Sequence, residues 1–303
     1  LTYQGKIFGL PAYAGAGRTL LWYNKRLVSE AGLSRPPQTW NEFEEVERKL
    51  TIKDGTELKR AAFWGERYKR WLYAAGGKWA SDDGRTVQFH TGPGADVMEW
   101  AKRRSDSTYG GWAARTAFAS ARSAASQRGG FFTSELAMIV AHNGIIFDHQ
   151  QHTKNMPMGV GATPAQSANF PPAVSEYLAS YALSQSTPTP TQAFQFMKYV
   201  SYEDAGVGWF FRQQGRPSPV KKQNQHPDLK KLTPDWDQML AAMAKEVGIP
   251  NTGVDKEIDQ IVDPLFTDVL SGKQVARQGL QQAAVTAQQR VDAFWASVPK
   301  SVK

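Results

Sequence analysis

The sequence predicts an α/β protein built as two layered bodies, and three observations carry that reading. β-rich runs alternate with amphipathic helices along the chain, the pattern of sheets covered by helices. A chain of 303 residues can supply two bodies with a core each. Residues 6–25, KIFGLPAYAGAGRTLLWYNK, read as two β-rich runs (6–11 and 19–23) joined by small residues. Within that join, Gly15 and Gly17 can take backbone angles closed to other residues, which suits a hinge crossing between bodies.

The elements follow in order. Thr39 and Glu42 have capping-box spacing before a helix to residue 50 that buries Trp40, Phe43, Val46 and Leu50. Its other face carries two acid-before-base pairs, Glu44 with Arg48 and Glu45 with Lys49. Residues 61–77 start as a strand and become a helix stopped by Gly76 and Gly77, with Trp71, Leu72 and Ala75 inward. Asp83-Gly84 between β-rich runs is a hairpin signal. A helix opens at 94–102, and the Ser- and Ala-rich residues 105–130 read as a loop plus a weak helix.

Residues 131–140 read as a helix end and a strand, 156–165 as a strand leading to a proline, and 174–184 as a return crossing. Thr191 is expected to cap a helix through Val200, and residues 201–217 to form a second helix using Val207, Trp209 and Phe210. Residues 218–232 read as a surface connection, 236–247 as a helix, 251–254 as a third crossing, and 256–270 and 275–296 as the closing helices. The last has a stripe of Leu280, Ala284, Ala287, Val291 and Phe294.

Composition narrows the function. No run of uncharged apolar residues approaches the roughly 20 needed to span a bilayer. With no cysteine, neither a disulfide nor a thiolate metal site can form. The net charge of +8 comes from scattered basic residues rather than a basic helix, which speaks against nucleic acid. Ten tryptophans and ten tyrosines supply flat apolar faces of the kind that sugar rings stack on and that large cores also use.

The ordered series GLP, LLWYNKRLVSEAGL and PPQTWNEFEEVERKLT resembles the middle of extracellular solute-binding proteins of family 1, the maltodextrin- and oligosaccharide-binding type that feeds ABC importers. The similarity continues through the helix with its GG stop, the hairpin, Ala137-Met138 and the paired helices before Gly215. Ser134 stands where the family has a glycine, and Pro217 comes one place early. The resemblance implies a periplasmic-binding-protein-like type II fold, with two α/β lobes joined by hinge crossings near 12–20, 174–182 and 250–254. It places 1–17 and 178–250 in the N-terminal-type lobe and 18–177 and 251–303 in the C-terminal-type lobe. The first lobe is expected to be incomplete, its opening βα units lying before Leu1 in a longer mature protein.

The same resemblance implies a monomer outside the cytoplasm, in the periplasm or held to the outer face of the membrane by a lipid anchor. Its partners would be a small solute, most plausibly a carbohydrate, and the permease subunits of an ABC transporter, with no cofactor and no nucleic acid. Trp64, Arg67 and Tyr68 would line one wall of the cleft, with His142 and Asn143 after the Ala-Met strand, Glu176 and Tyr177 before the return crossing, and Tyr13 and Arg18 at the hinge. For each, ordinary packing or exposure is an equal alternative. The cluster Arg67, Lys69 and Arg70 keeps an anionic ligand open, a uronic acid or a phosphorylated polyol.

Competing chemistry is poorly supported. Gly15 to Thr19 lacks the glycine, lysine and following helix of a phosphate-binding loop. His142, Asp148, His149 and His152 fall within eleven residues but lack a periodicity that would aim them at one metal ion. Asp82 and Asp83 suit a turn better than a pair of glycosidase carboxylates. The expectation is a binding protein and not an enzyme; a glycan-processing enzyme, or a lobe repurposed for protein contact, are the other classes.

Overall fold

A computed structural model describes residues 2–3, 6–13, 19–65, 67–121, 127–153, 155–170, 174–175, 179–233 and 235–298. Short strands β1 (Thr2–Tyr3), β2 (Lys6–Ile7) and β3 (Leu10–Pro11) precede β4 (Leu20–Asn24). The Asn24 side chain accepts from the Arg26 and Leu27 N–H groups and so caps α1 (Lys25–Glu30). α2 (Trp40–Leu50) begins at Thr39, whose hydroxyl accepts from the Glu42 N–H at 3.3 Å. The return half of this cap reaches upstream: the Glu42 carboxylate takes the Gln38 N–H at 2.8 Å and holds Arg35 through both oxygens, at 2.9 and 2.7 Å.

β5 (Ile52–Asp54) turns back into β6 (Glu57–Trp64), followed by α3 (Tyr68–Ala74) and α4 (Gly94–Arg104). Between these two helices the Asp83-Gly84 turn closes as expected, with Ala80 bridged to Val87 and Asp83 accepting from Ser81 and the Arg85 N–H. Residues 105–121 and 127–130 are more regular than their composition suggests. A π-helical turn (Ser105–Tyr109) extends α4, and α5 (Trp112–Ala121) and α6 (Gln127–Phe132) follow.

The chain continues through β7 (Leu136–Ala141), α7 (Ile145–His152), β8 (Met158–Gly161), β9 (Val174–Ser175) and β10 (Ser180–Tyr181). Next come α8 (Pro190–Ser201), a π-helical turn (Asp204–Gly208), α9 (Trp209–Gln213), α10 (Pro227–Leu232), α11 (Trp236–Met243) and β11 (Val247–Gly248). α12 (Asp255–Leu270) and α13 (Ala276–Ser297) complete the described elements.

The principal sheet has the order β5-β6-β7-β4-β8, with β6 and β7 parallel and β4 antiparallel to both its neighbours. Its strands alternate between two cores, as the period-2 geometry of a strand requires. Leu21, Tyr23, Phe63 and Met138 face one core with α2, α3, α4, α12 and α13. Leu20, Trp22, Ala61 and Ile139 face the other, with Phe118 of α5, Phe131 of α6 and Trp236 and Met239 of α11. α10 and α11, which the sequence reading groups with 178–250, pack on this sheet through Leu229, Trp236 and Met239. Amphipathic periodicity reports that a helix buries one face, not which core receives it.

The remaining strands form two-stranded pieces. β3 pairs with β10 (Pro11 opposite Ser180), β9 with β11 (Val174 opposite Val247), and the Ala12 N–H donates to the Ala179 carbonyl at 3.0 Å. α8 starts after Thr189, with Pro190 in its first turn, and not at Thr191, because proline at that position is already set for helix and needs no N–H partner. In the next helical stretch Val207 is buried as expected, but Phe211 is its inward aromatic, while Trp209 is 56 % and Phe210 44 % exposed.

Two further side chains depart from the expected pattern. Glu47 lies on the buried stripe of α2, ion-paired to the fully buried Arg104, and the Tyr109 hydroxyl donates to the same carboxylate. Tyr68, expected at a ligand wall, is instead a core residue with no exposed surface; its hydroxyl donates to the Phe89 carbonyl at 2.5 Å, and burial pushes its pKa far up. The α3 helix turns this ring inward beside Trp79 and Phe266.

These contacts set three expectations. Glu47→Ala strands the Arg104 charge in the core and should cost about 3–5 kcal/mol in urea unfolding, whereas replacing the pair together by Leu and Met should cost much less. Tyr68→Phe should cost about 1 kcal/mol while leaving any ligand affinity unchanged. The Arg35 guanidinium holds Glu42 at a pKa of about 2, below its ordinary 4.5. A lowered carboxylate pKa adds stability above 4.5 that is lost as pH falls towards 2, so the stability gap between wild type and Glu42→Gln should be constant above pH 5 and close below it. For this largely exposed pair the gap should be about 1 kcal/mol or less.

Candidate functional site

The site is built at one end of the principal sheet. Because β6 and β7 run parallel, their carboxyl ends emerge side by side, with Trp64 opposite Ile139. β4 runs the other way, so its entry from the 12–20 segment lies at the same end, with Leu20 opposite Ala141 and Leu21 opposite the last residue of β8. Crevices beyond the carboxyl ends of strands are where open α/β sheets bind ligands.

At the end of β7, the Asn143 side chain is buried and its Oδ1 accepts from Arg216 Nε at 3.0 Å. Gln214 Oε1 accepts from the same guanidinium at 2.8 Å, which lies 5.8 Å from the Tyr13 ring centroid and 5.4 Å from that of Phe211. Tyr13 and Phe211 meet edge to face at 6.1 Å. His142 is half-buried; its Nδ1 accepts from the Gly144 N–H at 2.9 Å, which turns the chain into α7. A Cβ on Gly144 would lie 2.4 Å from the imidazole, so a side chain there would push the His142 ring out of this position.

At the end of β6, Trp64 is half-buried and Gly65 has φ +130°, a conformation that glycine tolerates. Arg67 is exposed just before α3. Trp112, at the start of α5, stacks near-parallel to Trp64, and the buried Arg115 guanidinium lies 5.2 Å from the Trp64 ring.

The structure thus brings Tyr13, His142 and Asn143 together, with Trp64 and Arg67 one strand away, and removes Tyr68 to the core. Arg18, Glu176 and Tyr177 lie outside the described residues. Arg216 and Trp112 were not among the expected residues. The signals present for them are Gly215 (φ +62°) before Arg216 and the Gly110-Gly111 pair (φ +85° and +97°) before Trp112, turns that aim the next side chain.

Two open clefts of about 420 Å³ each lie around the sheet. One sits at the opposite end, beside Asn24, Ser134 and Met156. The other lies at the same end as the candidate site, past the last residue of β8, lined by residues that include Thr39, Gly161, Thr163, Gln238 and Lys245. The candidate site presents planar and hydrogen-bonding groups. Its histidines do not converge: His149 is buried against the Met156 carbonyl at 2.8 Å, while His142 is turned to Gly144. No group of three or more His, Asp or Glu side chains suited to a metal ion occurs among the described residues, and none of their helices is long and apolar enough to cross a membrane.

Solved structures share this architecture. The sugar-binding protein MalE of Xanthomonas citri matches with a TM-score of 0.77 at 16% identity, over 98% of this chain and 75% of its own. An ABC substrate-binding protein of Listeria monocytogenes in complex with cycloalternan matches at 0.75 and 14%, over 97% and 74%. An ABC transporter solute-binding protein of Thermotoga lettingae bound to α-D-tagatose matches at 0.75 and 19%, over 96% and 74%. The fold is therefore periplasmic-binding-protein-like, two α/β lobes with the first incomplete in this chain, which spans about three quarters of those proteins. The family model for bacterial extracellular solute-binding proteins matches residues 2–206, two thirds of the chain, and the chain belongs to that family.

Proposed function

We propose that this solute-binding protein captures a sugar or oligosaccharide between its lobes and delivers it to the permease subunits of an ABC importer, working as a monomer outside the cytoplasm. The observation that carries the reading is the convergence of Tyr13, Asn143 and Arg216 at the strand ends beside Trp64. Sugars present apolar ring faces and a rim of hydroxyls; aromatic planes suit the first, and fixed amide and guanidinium groups suit the second. The sugars named with the Listeria and Thermotoga structures agree with this class.

Closure would follow from the paired segments near 12–20, 174–182 and 250–254. β3 and β10 run together beside the site, and β9 joins β11, so both pairs can bend as units while the two lobes move as bodies. In this proposal 1–17 and 178 to about 217 belong to the first lobe, and 18–177, α10, α11 and 251–303 to the second. A ligand touching both would favour the closed population by its differential affinity.

A second reading has its own observation. Arg216 in the cluster and Arg67 exposed nearby suit a carboxylate or phosphate, so an acidic sugar or phosphorylated polyol is the alternative.

Thermal unfolding of the full-length protein with neutral and acidic saccharides tests both. A ligand at one hundred times its Kd should stabilise the protein by about 2.7 kcal/mol, and Arg216→Ala should weaken that ligand about tenfold or more. A shift with acidic saccharides alone would select the second reading, and no shift with either would overturn the carbohydrate assignment.

A further inference from the structure

Asparagine is followed by glycine once in the sequence, at Asn143-Gly144, and that pair stands at the centre of the candidate site. Asn-Gly is the dipeptide most prone to lose its side-chain amide. With no Cβ on the second residue, its backbone nitrogen can reach the side-chain carbon of the first and close a five-membered ring. Two contacts here are set as that reaction needs. The Gly144 N–H, on the attacking nitrogen, donates to His142 Nδ1 at 2.9 Å, so a ring nitrogen able to take a proton already holds the one to be removed. Asn143 Oδ1, where negative charge would develop, accepts from Arg216 Nε at 3.0 Å. Gln214 Oε1 and the Tyr13 and Phe211 rings hold that guanidinium in place. Asn143 is buried, which strengthens both contacts by keeping water from between the groups. Glycine at 144 serves twice, because a Cβ there would lie 2.6 Å from His142 Nδ1 and push the base away from the nitrogen it serves.

We propose that Asn143 is a site of self-catalysed deamidation, with His142 as general base and Arg216 as the donor to the oxyanion. His142 Nδ1 takes the Gly144 proton as that nitrogen bonds to Asn143 Cγ, and the carbonyl electron pair moves onto Oδ1, facing Arg216. When the pair returns, the Cγ–Nδ2 bond breaks, and the leaving nitrogen takes the proton from the imidazolium and departs as ammonia. A succinimide then joins residues 143 and 144, and water opens it to an aspartyl or isoaspartyl linkage. His142 and Arg216 end as they began, so the sum is one amide and one water giving one carboxylate and one ammonium ion. The product sets a carboxylate against Arg216 where an amide stood, which commits the guanidinium to residue 143 rather than to a solute. The isoaspartyl form also lengthens the backbone at the turn into α7.

Side-by-side incubation of the full-length protein and a synthetic peptide of residues 138–150 in neutral buffer tests this. The peptide keeps His142 but lacks Arg216 and the fold. Released ammonia is assayed, and the proteolytic fragment carrying residue 143 is followed by mass spectrometry for the succinimide and its two opened forms. Asn143 in the folded protein should convert about tenfold faster than in the peptide, or more. His142→Gln, whose amide oxygen can accept the Gly144 N–H but takes no proton, and Arg216→Gln should each slow conversion about tenfold or more. Conversion in the folded protein no faster than in the peptide overturns the proposal, a comparison that needs no variant and so stands even where a substitution prevents folding. Fast conversion that neither substitution slows overturns the roles given to His142 and Arg216. None of these outcomes depends on which solute the protein binds, so the carbohydrate reading stands or falls separately.

Discussion

The structure depends on where β4 sits. All five of its residues are buried, it lies between β7 and β8, and it runs against both. An antiparallel strand in that position must enter the sheet at the end where β7 and β8 leave it. The chain arriving from Tyr13 is therefore delivered to the same edge as His142, Asn143 and Gly161, and the site follows from strand direction. Leu20 and Trp22 bind this strand to one core and Leu21 and Tyr23 to the other, so a slip of one residue would exchange the two sets.

The wall around β6 is stiffened from behind by charges that never reach solvent. Glu47, Arg104 and Tyr109 form one buried group beneath the aromatic cluster of Phe43, Phe63, Trp71 and Trp100, with the Arg104 guanidinium 4.8 Å from the Trp100 ring. Arg115 extends this layer to Trp64 and Trp112. Burying such groups costs desolvation and is tolerated only when their partners are fixed. A wall with fixed partners is also one whose aromatic faces keep their orientation whether or not a solute is bound.

Several exposed aromatic side chains lie away from this wall: Phe194, Phe196, Trp209 and Phe210 on α8 and α9, and Phe8 before β3. The five-stranded sheet is covered on both faces, and Trp22, Phe43, Phe63, Trp71, Trp79 and Phe131 around it are buried.

What the sequence determined by itself is local and periodic. Trp40, Phe43, Val46 and Leu50 marked the inner face of α2, Gly76 its neighbour's stop, and Asp83-Gly84 a turn, because each depends on residues within one or two turns of chain. Glu47 was legible in principle, four places after Phe43 and seven after Trp40, but a carboxylate there reads as solvated until Arg104 is known to face it. Only the tertiary structure decided that Tyr68 turns inward, that α10 and α11 pack on the five-stranded sheet, that Arg216 reaches Asn143 across 73 positions, and that Trp112 lies against Trp64. Such pairings are set by strand order and by which core closes over a helix, quantities to which distant parts of the chain contribute jointly and which no short window of residues contains.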